Sequence, residues 1–296
     1  MKKRIFTGCG TAIITPMFQD GRVDFESYGK LIDWQIENGA DAIVAAATTG
    51  ECATLNDKEH IEVISYCVER VNGRIPVVGC TGSNDLAHGV NLTRMACEAG
   101  VDGILAVTPY YNKTTQNGLV RYFSEYADCA TVPVIVYNVP GRTSINIEPK
   151  TYEKLADHEN IVATKEANND IAKIVETVQR TEGRLDLYSG NDDQIVPLLA
   201  CGGIGVISVL GNVVPQETHD MCQLWFDGDI KGSLALQLKY TQLVKALFSE
   251  VNPVPVKAAC AAMGFCENAL RGPLYPMEED HYQNLLAEMR KVGLAV

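Results

Sequence analysis

The sequence has 296 residues, of which 46% are hydrophobic and 21% are charged, a balance typical of a globular protein with a sizeable core. Its formal net charge of -12 excludes a broad basic surface, so we expect no nucleic-acid partner. The ten cysteines are scattered along the chain without a CxxC pair, which is typical of a reducing compartment.

The N-terminal segment places Lys2, Lys3 and Arg4 ahead of apolar residues, as a secretory signal does. Gly8 and Gly10 interrupt it before it reaches the roughly 7 to 15 apolar residues that a signal requires. We interpret this segment as the start of a first strand. No run approaches the ~18 apolar residues of a membrane helix, so we expect a cytoplasmic protein without a membrane partner.

Eight short, almost wholly apolar runs alternate with helical patterns up to about residue 228. The predicted strands are residues 10–15, 42–47, 75–79, 104–107, 134–137, 161–165, 185–188 and 206–209. This alternation is typical of an α/β protein with a parallel sheet, and eight such units close most naturally into a (β/α)8 TIM barrel. We therefore predict that residues 1–228 form the barrel.

Amphipathic helices are predicted between the strands. Ile171, Ile174, Val175 and Val178 follow one another at helical spacing, and we expect this apolar stripe to face the sheet. Residues 229–296 also have a helical pattern, with no low-complexity linker before them. We predict that they form a C-terminal helical extension packed on the barrel.

The active sites of TIM barrels lie at the C-terminal ends of the strands, where this chain places Lys165. Alternation along the strand predicts that Lys165 shares the barrel-interior face with Ala163 and Ile161. An amine confined there is partly desolvated, which lowers its pKa from about 10.4 and favours nucleophilic attack on a carbonyl. The alternative is a lysine that extends from the strand end into water.

Three other polar residues follow strand ends. Tyr137 is expected near the Lys165 amine, where its phenol would transfer protons, although a tyrosine in a strand is more often part of the core. Thr48 and Thr49 offer hydroxyls and backbone N–H groups to a substrate carboxylate, although such a turn is common without any function. Their coincidence with Lys165 favours a catalytic site.

Other site chemistries have little support in the sequence. The five histidines show no metal-ligand spacing, so we predict no metal site. The loop Gly190-Asn191-Asp192-Asp193 is acidic, whereas phosphate-binding barrels require N–H groups and positive charge at that place. Nucleotides and sugar phosphates are therefore disfavoured.

Four motifs at these strand ends, taken in order, resemble the dihydrodipicolinate synthase family. They are Thr48-Thr49-Gly50-Glu51, Thr108-Pro109-Tyr110-Tyr111, Tyr137-Asn138-Val139-Pro140-Gly141-Arg142-Thr143 and Lys165-Glu166-Ala167. The resemblance continues through residues 205–208 and 252–257. It implies a lyase that condenses pyruvate with aspartate 4-semialdehyde through a Lys165 imine, without a further cofactor. The implied product is 4-hydroxy-tetrahydrodipicolinate, in the diaminopimelate route to lysine.

The resemblance also implies roles for single residues around Lys165. Tyr137, Thr48 and Tyr111 match a proton relay in which Tyr111 reaches in from a neighbouring subunit. The implied assembly is a homo-oligomer, either a dimer or a tetramer formed from two dimers.

The substrate-binding residues are implied in the same way. Thr49, Gly190 and Ile207 match the pyruvate pocket. Arg142 matches the residue that holds the semialdehyde carboxylate, a role that suits a planar guanidinium.

This chain departs from the family pattern in two places. Ala47 stands where a glycine is usual, which we expect to tighten the pocket. The residues that match the lysine-inhibition site of the family are Cys52, Ala53, Asp57, His60, Asn84, His88 and Tyr110. His88 replaces a glutamate that would hold the lysine ammonium, so we hypothesise weak or absent inhibition by lysine.

Two other functions stay open at this point. Another pyruvate-dependent class I aldolase of the same superfamily would act on a sugar acid through the same imine. Arg142 disfavours that function, because sugar-acid aldolases of this fold generally lack the arginine. A non-catalytic barrel that senses a carboxylated metabolite is disfavoured by the joint presence of Lys165, Tyr137, Thr48 and Arg142.

Overall fold

Eight short strands pair in parallel and in sequence order, and the first pairs with the last to close a barrel. The computed structural model describes residues 2–296. The strands are β1 (Gly8–Ala12), β2 (Ala42–Ala45), β3 (Val77–Cys80), β4 (Gly103–Val107), β5 (Val134–Asn138), β6 (Ile161–Glu166), β7 (Asp186–Ser189) and β8 (Gly205–Ser208). The predicted TIM barrel is confirmed. The boundaries differ by up to three residues, most at β1.

Helices follow the strands and surround the barrel. They are α1 (Phe25–Glu37), α2 (Asp57–Val71), α3 (Leu86–Glu98), α4 (Gln116–Cys129), α5 (Pro140–Thr143), α6 (Pro149–Leu155), α7 (Ile171–Thr181), α8 (Ile195–Ala200), α9 (Pro215–Phe226), α10 (Ile230–Leu247), α11 (Val254–Ala262) and α12 (Glu279–Lys291). Among residues 2–296, no helix has the length and apolar character needed to cross a membrane. Helix α10, in the predicted extension, packs closely on α9 of the barrel. The predicted division at residue 228 stays a prediction.

Apolar side chains fill two layers, one inside the barrel and one between the strands and the helices. At the N-terminal end of the barrel, the rings of Phe6 and Tyr188 stack with their centroids 4.4 Å apart. This stack fills the interior below the catalytic end. The polar groups of a site are therefore confined to the opposite end, as in other TIM barrels.

A β-bulge interrupts the alternation of β6. Val134 of β5 lies opposite Ile161, but the next residue, Ile135, lies opposite Ala163. Ile161 consequently packs in the outer layer, whereas Ala163 packs inside the barrel. The prediction that Ile161 shares the face of Lys165 is wrong, because an extra residue in one strand reverses the faces before it.

The apolar stripe predicted on α7 is only partly buried. Ile174 is 2% exposed, whereas Ile171 and Val175 are 37% and 51% exposed. The helix instead buries Thr177 and Thr181 beside Ile174. The expectation that the whole stripe faces the sheet is wrong, because α7 is rotated so that its threonines occupy part of the buried face.

Candidate active site

Lys165 lies near the C-terminal end of β6 and is 5% exposed. The strand register sets Lys165 directly opposite Tyr137 of β5, and its Nζ lies 4.3 Å from the centroid of the Tyr137 ring. No carboxylate among residues 2–296 forms an ion pair with this amine. Burial lowers the pKa of Lys165 to about 8, the direction that the sequence predicts.

The same burial acts in the opposite direction on the other nucleophiles nearby. It raises the pKa of the Cys80 thiol to about 12 and that of the Cys52 thiol to about 11. It also raises the pKa of the Tyr137 phenol well above its usual range. Near neutral pH these three groups hold their protons, so Lys165 is the buried nucleophile here that is closest to titrating.

A cavity of about 310 Å³ opens at this end of the barrel. Its polar lining includes Thr48 after β2, Tyr137 at the end of β5, and Arg142 in α5. Asn252, from the segment before α11, completes this side of the wall. Hydroxyl, guanidinium and amide groups therefore surround a space that is large enough for a small keto acid and an aldehyde.

Glu166 fixes the backbone beside Lys165 from outside the barrel. Its carboxylate accepts hydrogen bonds from Asn138 Nδ2 at 2.8 Å, from Tyr152 Oη at 2.7 Å and from the Asn168 backbone at 2.9 Å. Burial raises the pKa of Glu166 to about 7. The ends of β5 and β6 are thus tied together while the Lys165 side chain lies on the opposite face.

The loop after β7 approaches β6 closely at Gly190. The Gly190 N–H donates to Glu166 O at 2.7 Å, and a Cβ at this position would lie 2.9 Å from the Ala167 Cβ. A larger residue would push the two loops apart. Ile207 of β8 is buried inside the barrel, and its place in the pyruvate pocket stays a prediction.

Asp192 has a structural role, which the acidic character of its loop does not indicate. The carboxylate is 2% exposed and accepts hydrogen bonds from Ser208 Oγ at 2.5 Å and from the backbone of Val209 and Leu210 at 3.0 and 2.9 Å. These bonds hold the end of β8 against the loop after β7. The acidity of this loop therefore serves the scaffold as well as disfavouring phosphate.

The loop that carries Thr48 and Thr49 is held by the C-terminal extension. The Glu51 carboxylate forms a fully buried ion pair with Lys257 of α11 and accepts a hydrogen bond from the Arg271 backbone at 3.1 Å. The Arg271 guanidinium donates to Thr54 O at 2.6 Å. Glu51 itself has a left-handed φ of 58°, a conformation that these contacts stabilise.

One residue of the extension, Asn252, also contacts two of the predicted substrate-binding residues. Asn252 Nδ2 donates to Thr49 Oγ1 at 3.1 Å, and Arg142 Nη2 donates to Asn252 O at 3.1 Å. Sequence reasoning missed the roles of Asn252 and Lys257. The signal was their motif, residues 252–257, which the family resemblance includes without explaining it.

Tyr111 is not brought to the cavity of its own chain. It is 94% exposed, has a φ of 68°, and does not line the cavity. Ala47 is buried inside the barrel, and its backbone does not have a positive φ. The glycine usual at this position is therefore not required by the backbone here.

The residues matched to the lysine-inhibition site lie around the rim of the catalytic cavity. Cys52, Ala53 and Tyr110 line the cavity itself. His88 Nε2 and Asp57 Oδ1 form an exposed pair at 2.9 Å.

The two remaining members of this set lie close by. His60 is buried, with Nε2 2.7 Å from Cys80 O, and Asn84 O accepts from Asn112 Nδ2 at 2.8 Å. At the position where the family resemblance implies a glutamate, this chain thus has His88, paired with Asp57.

Comparison with known proteins agrees with this geometry. The Dihydrodipicolinate synthetase family model matches residues 5–292. The 4-hydroxy-tetrahydrodipicolinate synthase of Lachnoclostridium phytofermentans is 50% identical over 98% of this chain and 99% of its own length.

Two solved structures are similar along nearly the full length. Dihydrodipicolinate synthase from Thermotoga maritima has a TM-score of 0.96 and 42% identity, covering 99% of this chain and 100% of that one. The Acinetobacter baumannii enzyme, complexed with pyruvate, has a TM-score of 0.96 and 37% identity, with the same coverage. This chain belongs to the dihydrodipicolinate synthetase family.

Proposed function

We propose that this chain is a class I aldolase-type lyase that condenses pyruvate with aspartate 4-semialdehyde to give 4-hydroxy-tetrahydrodipicolinate. The observation that carries the proposal is the buried amine of Lys165, which forms no ion pair with a carboxylate of residues 2–296 and lies 4.3 Å from the ring of Tyr137. Tyr137 in turn lines the same cavity as Arg142. An unpaired amine in this setting is the nucleophile that a keto acid requires.

The first half of the reaction forms an imine. The neutral Lys165 amine attacks the keto carbon of pyruvate, and the Tyr137 phenol gives its proton to the departing hydroxyl, which leaves as water. Thr49 and the backbone near it hold the pyruvate carboxylate. The product is a cationic imine, which acts as the electron sink, so the proposal includes no cofactor and no metal.

The second half joins the two substrates. The Tyr137 phenolate left by the first half takes a proton from the methyl group of the imine, the resulting enamine carbon attacks the aldehyde carbon, and Tyr137 returns the proton to the aldehyde oxygen. Arg142 holds the semialdehyde carboxylate so that the aldehyde faces the enamine. The amino group of the second substrate then attacks the imine carbon, closes the six-membered ring and releases Lys165.

Reductive trapping tests the covalent step. Incubation with pyruvate and borohydride should add the mass of one reduced pyruvate to the intact protein, and peptide mapping should place it on Lys165. Lys165→Ala is the control and should stay unmodified. An unchanged mass for the native protein, or an adduct on another side chain, would refute the proposal.

The choice of aldehyde separates this function from that of a sugar-acid aldolase. Consumption of both substrates is followed by nuclear magnetic resonance with aspartate semialdehyde or with a sugar aldehyde. We expect condensation with the first and little with the second. A faster reaction with the sugar aldehyde would assign the protein to the other function.

We also propose that the active unit is a homo-oligomer in which Tyr111 completes the site of a partner subunit. Its 94% exposure supports this assignment, because the side chain projects away from its own chain and is free to contact another. Mixing Lys165→Ala subunits with Tyr111→Phe subunits tests the idea. For a randomly mixed dimer, about a quarter of native activity should return. No recovery, in mixtures shown to exchange subunits, would mean that Tyr111 acts within its own chain or not at all.

A further inference from the structure

Asn252 stands between the two substrate-binding positions of the cavity. It is 6% exposed and belongs to the segment that leads into α11. Its side-chain amide donates to Thr49 Oγ1, and its backbone oxygen accepts from Arg142 Nη2, both at 3.1 Å. One residue of the C-terminal extension therefore contacts both the keto-acid side and the aldehyde side of the site.

The other polar atom of this side chain is unsatisfied. Among residues 2–296, Asn252 Oδ1 is buried and has no hydrogen-bond partner. Buried amide oxygens are nearly always paired, because an unpaired one loses the hydrogen bonds that water would have made. The residue lines the catalytic cavity, so the missing donor is expected from a molecule bound there.

The direction of the bond to Thr49 determines which atom of the amide is available. The Thr49 hydroxyl accepts from Asn252 Nδ2, which leaves the hydroxyl proton free for the pyruvate carboxylate in the proposed reaction. Nδ2 is thus engaged with Thr49, whereas Oδ1 has no partner among residues 2–296. A group that pairs with this oxygen must be a donor.

We infer that Asn252 Oδ1 accepts a hydrogen bond from the α-ammonium group of the aldehyde substrate while Arg142 binds the carboxylate on the same carbon. This inference rests on the proposed function and identifies the residue that selects an α-amino aldehyde. The ammonium and carboxylate groups of an α-amino acid are attached to one carbon, and the hydrogen bond from Arg142 Nη2 to Asn252 O holds these two residues next to each other.

The residue type also fits this role. A neutral side-chain amide accepts a hydrogen bond from an ammonium group without forming an ion pair with Arg142. An aspartate at position 252 would compete with the substrate carboxylate for the guanidinium. The amide therefore binds the α-ammonium group of the substrate, and Arg142 stays available for the carboxylate.

The experiment compares two aldehydes that differ only in the amino group. It measures the KM for aspartate semialdehyde and the inhibition constant of succinic semialdehyde, which lacks the ammonium, both with saturating pyruvate. The native protein should bind the amino aldehyde at least about tenfold more tightly, as expected for a charge-assisted hydrogen bond. Equal affinities in the native protein would overturn the inference without any variant.

Asn252→Ala should raise the KM for aspartate semialdehyde about 10- to 100-fold, and should change the inhibition constant of succinic semialdehyde less than about threefold. An equal loss for both aldehydes would mean that the residue acts only by holding Arg142 or the loop, and would overturn the inference.

Reductive trapping of pyruvate on the same samples distinguishes failure of this inference from failure of the proposed function. If the native protein traps no pyruvate, the proposed function fails, whereas if it traps pyruvate but does not discriminate, only this inference fails.

Asn268→Ala is a matched control. Asn268 is also an asparagine of the C-terminal extension with a buried, unpaired Oδ1, but it does not line the cavity. Neither constant should change in this variant. A shift there equal to that of Asn252→Ala would mean that loosening the extension explains both, and would overturn the inference.

Discussion

Lys165 and Lys257 are both buried lysines, but their surroundings differ in one respect. Lys257 is 0% exposed and forms an ion pair with the Glu51 carboxylate. Lys165 is 5% exposed and faces the ring of Tyr137, with no ion-pair partner among residues 2–296. Burial lowers the pKa of both amines; at Lys257 the Glu51 carboxylate opposes the shift through direct contact, whereas at Lys165 the Asp192 carboxylate opposes it without forming an ion pair.

The comparison shows that burial alone does not make a lysine a nucleophile. Removing an ammonium group from water disfavours its charge, whereas a carboxylate in contact with it restores the preference for the cation. Lys257 accordingly serves as a structural cation that holds the loop after β2. Lys165 has no such partner, so the neutral amine is accessible near physiological pH.

The largest expected effect is the loss of catalysis when the unpaired lysine is removed. Lys165→Ala should lower kcat by at least about 10⁴-fold, because the covalent intermediate can no longer form. Lys257→Met should still form the pyruvate adduct in its folded fraction, as judged by intact mass after reduction. If Lys257→Met lost the adduct while remaining folded, the division of roles between the two lysines would be wrong.

The next effect concerns stability. Lys257→Met should lower the free energy of unfolding in urea by roughly 3–5 kcal/mol, because it leaves the Glu51 carboxylate buried without a counter-charge. The double variant Glu51→Gln/Lys257→Met should recover part of this loss. A single-variant loss below about 1 kcal/mol would show that the pair contributes little beyond packing.

A pH series sharpens the comparison further. Only the neutral amine of Lys165 attacks pyruvate, and its pKa is lowered to about 8. The initial rate of reductive trapping should therefore rise about tenfold per pH unit from pH 6 toward 8, and then level off. A rate that continues to rise to pH 10 would mean that Lys165 keeps the pKa of an ordinary lysine.

The smallest effect tests a third ammonium group, that of free lysine. His88 is paired with Asp57 and offers no carboxylate to a lysine ammonium, so lysine at micromolar to low millimolar concentration should inhibit the initial rate little. His88→Glu should increase the inhibition, because it adds a carboxylate for the lysine ammonium. Strong inhibition of the native protein would defeat this hypothesis.

Much of this arrangement follows from local sequence. Eight apolar runs separated by amphipathic helices predict the barrel, and a lysine that ends one of them predicts the position of the amine. The bulge in β6 was not predictable, because Ile161, Val162 and Ala163 are all apolar and give no sign of which face each one takes. Likewise, helical spacing in α7 does not indicate that Thr177 is buried in place of Val175.

The contacts between distant segments were the hardest to predict. Asn252 and Thr49 are joined by a side-chain hydrogen bond, and Lys257 reaches Glu51 from a segment more than two hundred residues away. No periodic pattern encodes such pairs. The sequence does contain the isolated polar residues Asn252 and Lys257 in an otherwise apolar stretch, which is the local sign of a buried polar partner.

The contact between Arg271 and the loop after β2 has a consequence for protein synthesis. The last strand ends at Ser208, and a ribosome then adds about 60 further residues before Arg271 is made, roughly 3 to 12 s at 5–20 residues per second. A nascent chain that has just passed Ser208 has all eight strands but neither anchor for Glu51; Lys257 is added first and Arg271 last. The loop after β2 therefore gains its anchors from the C-terminal extension only near the end of translation.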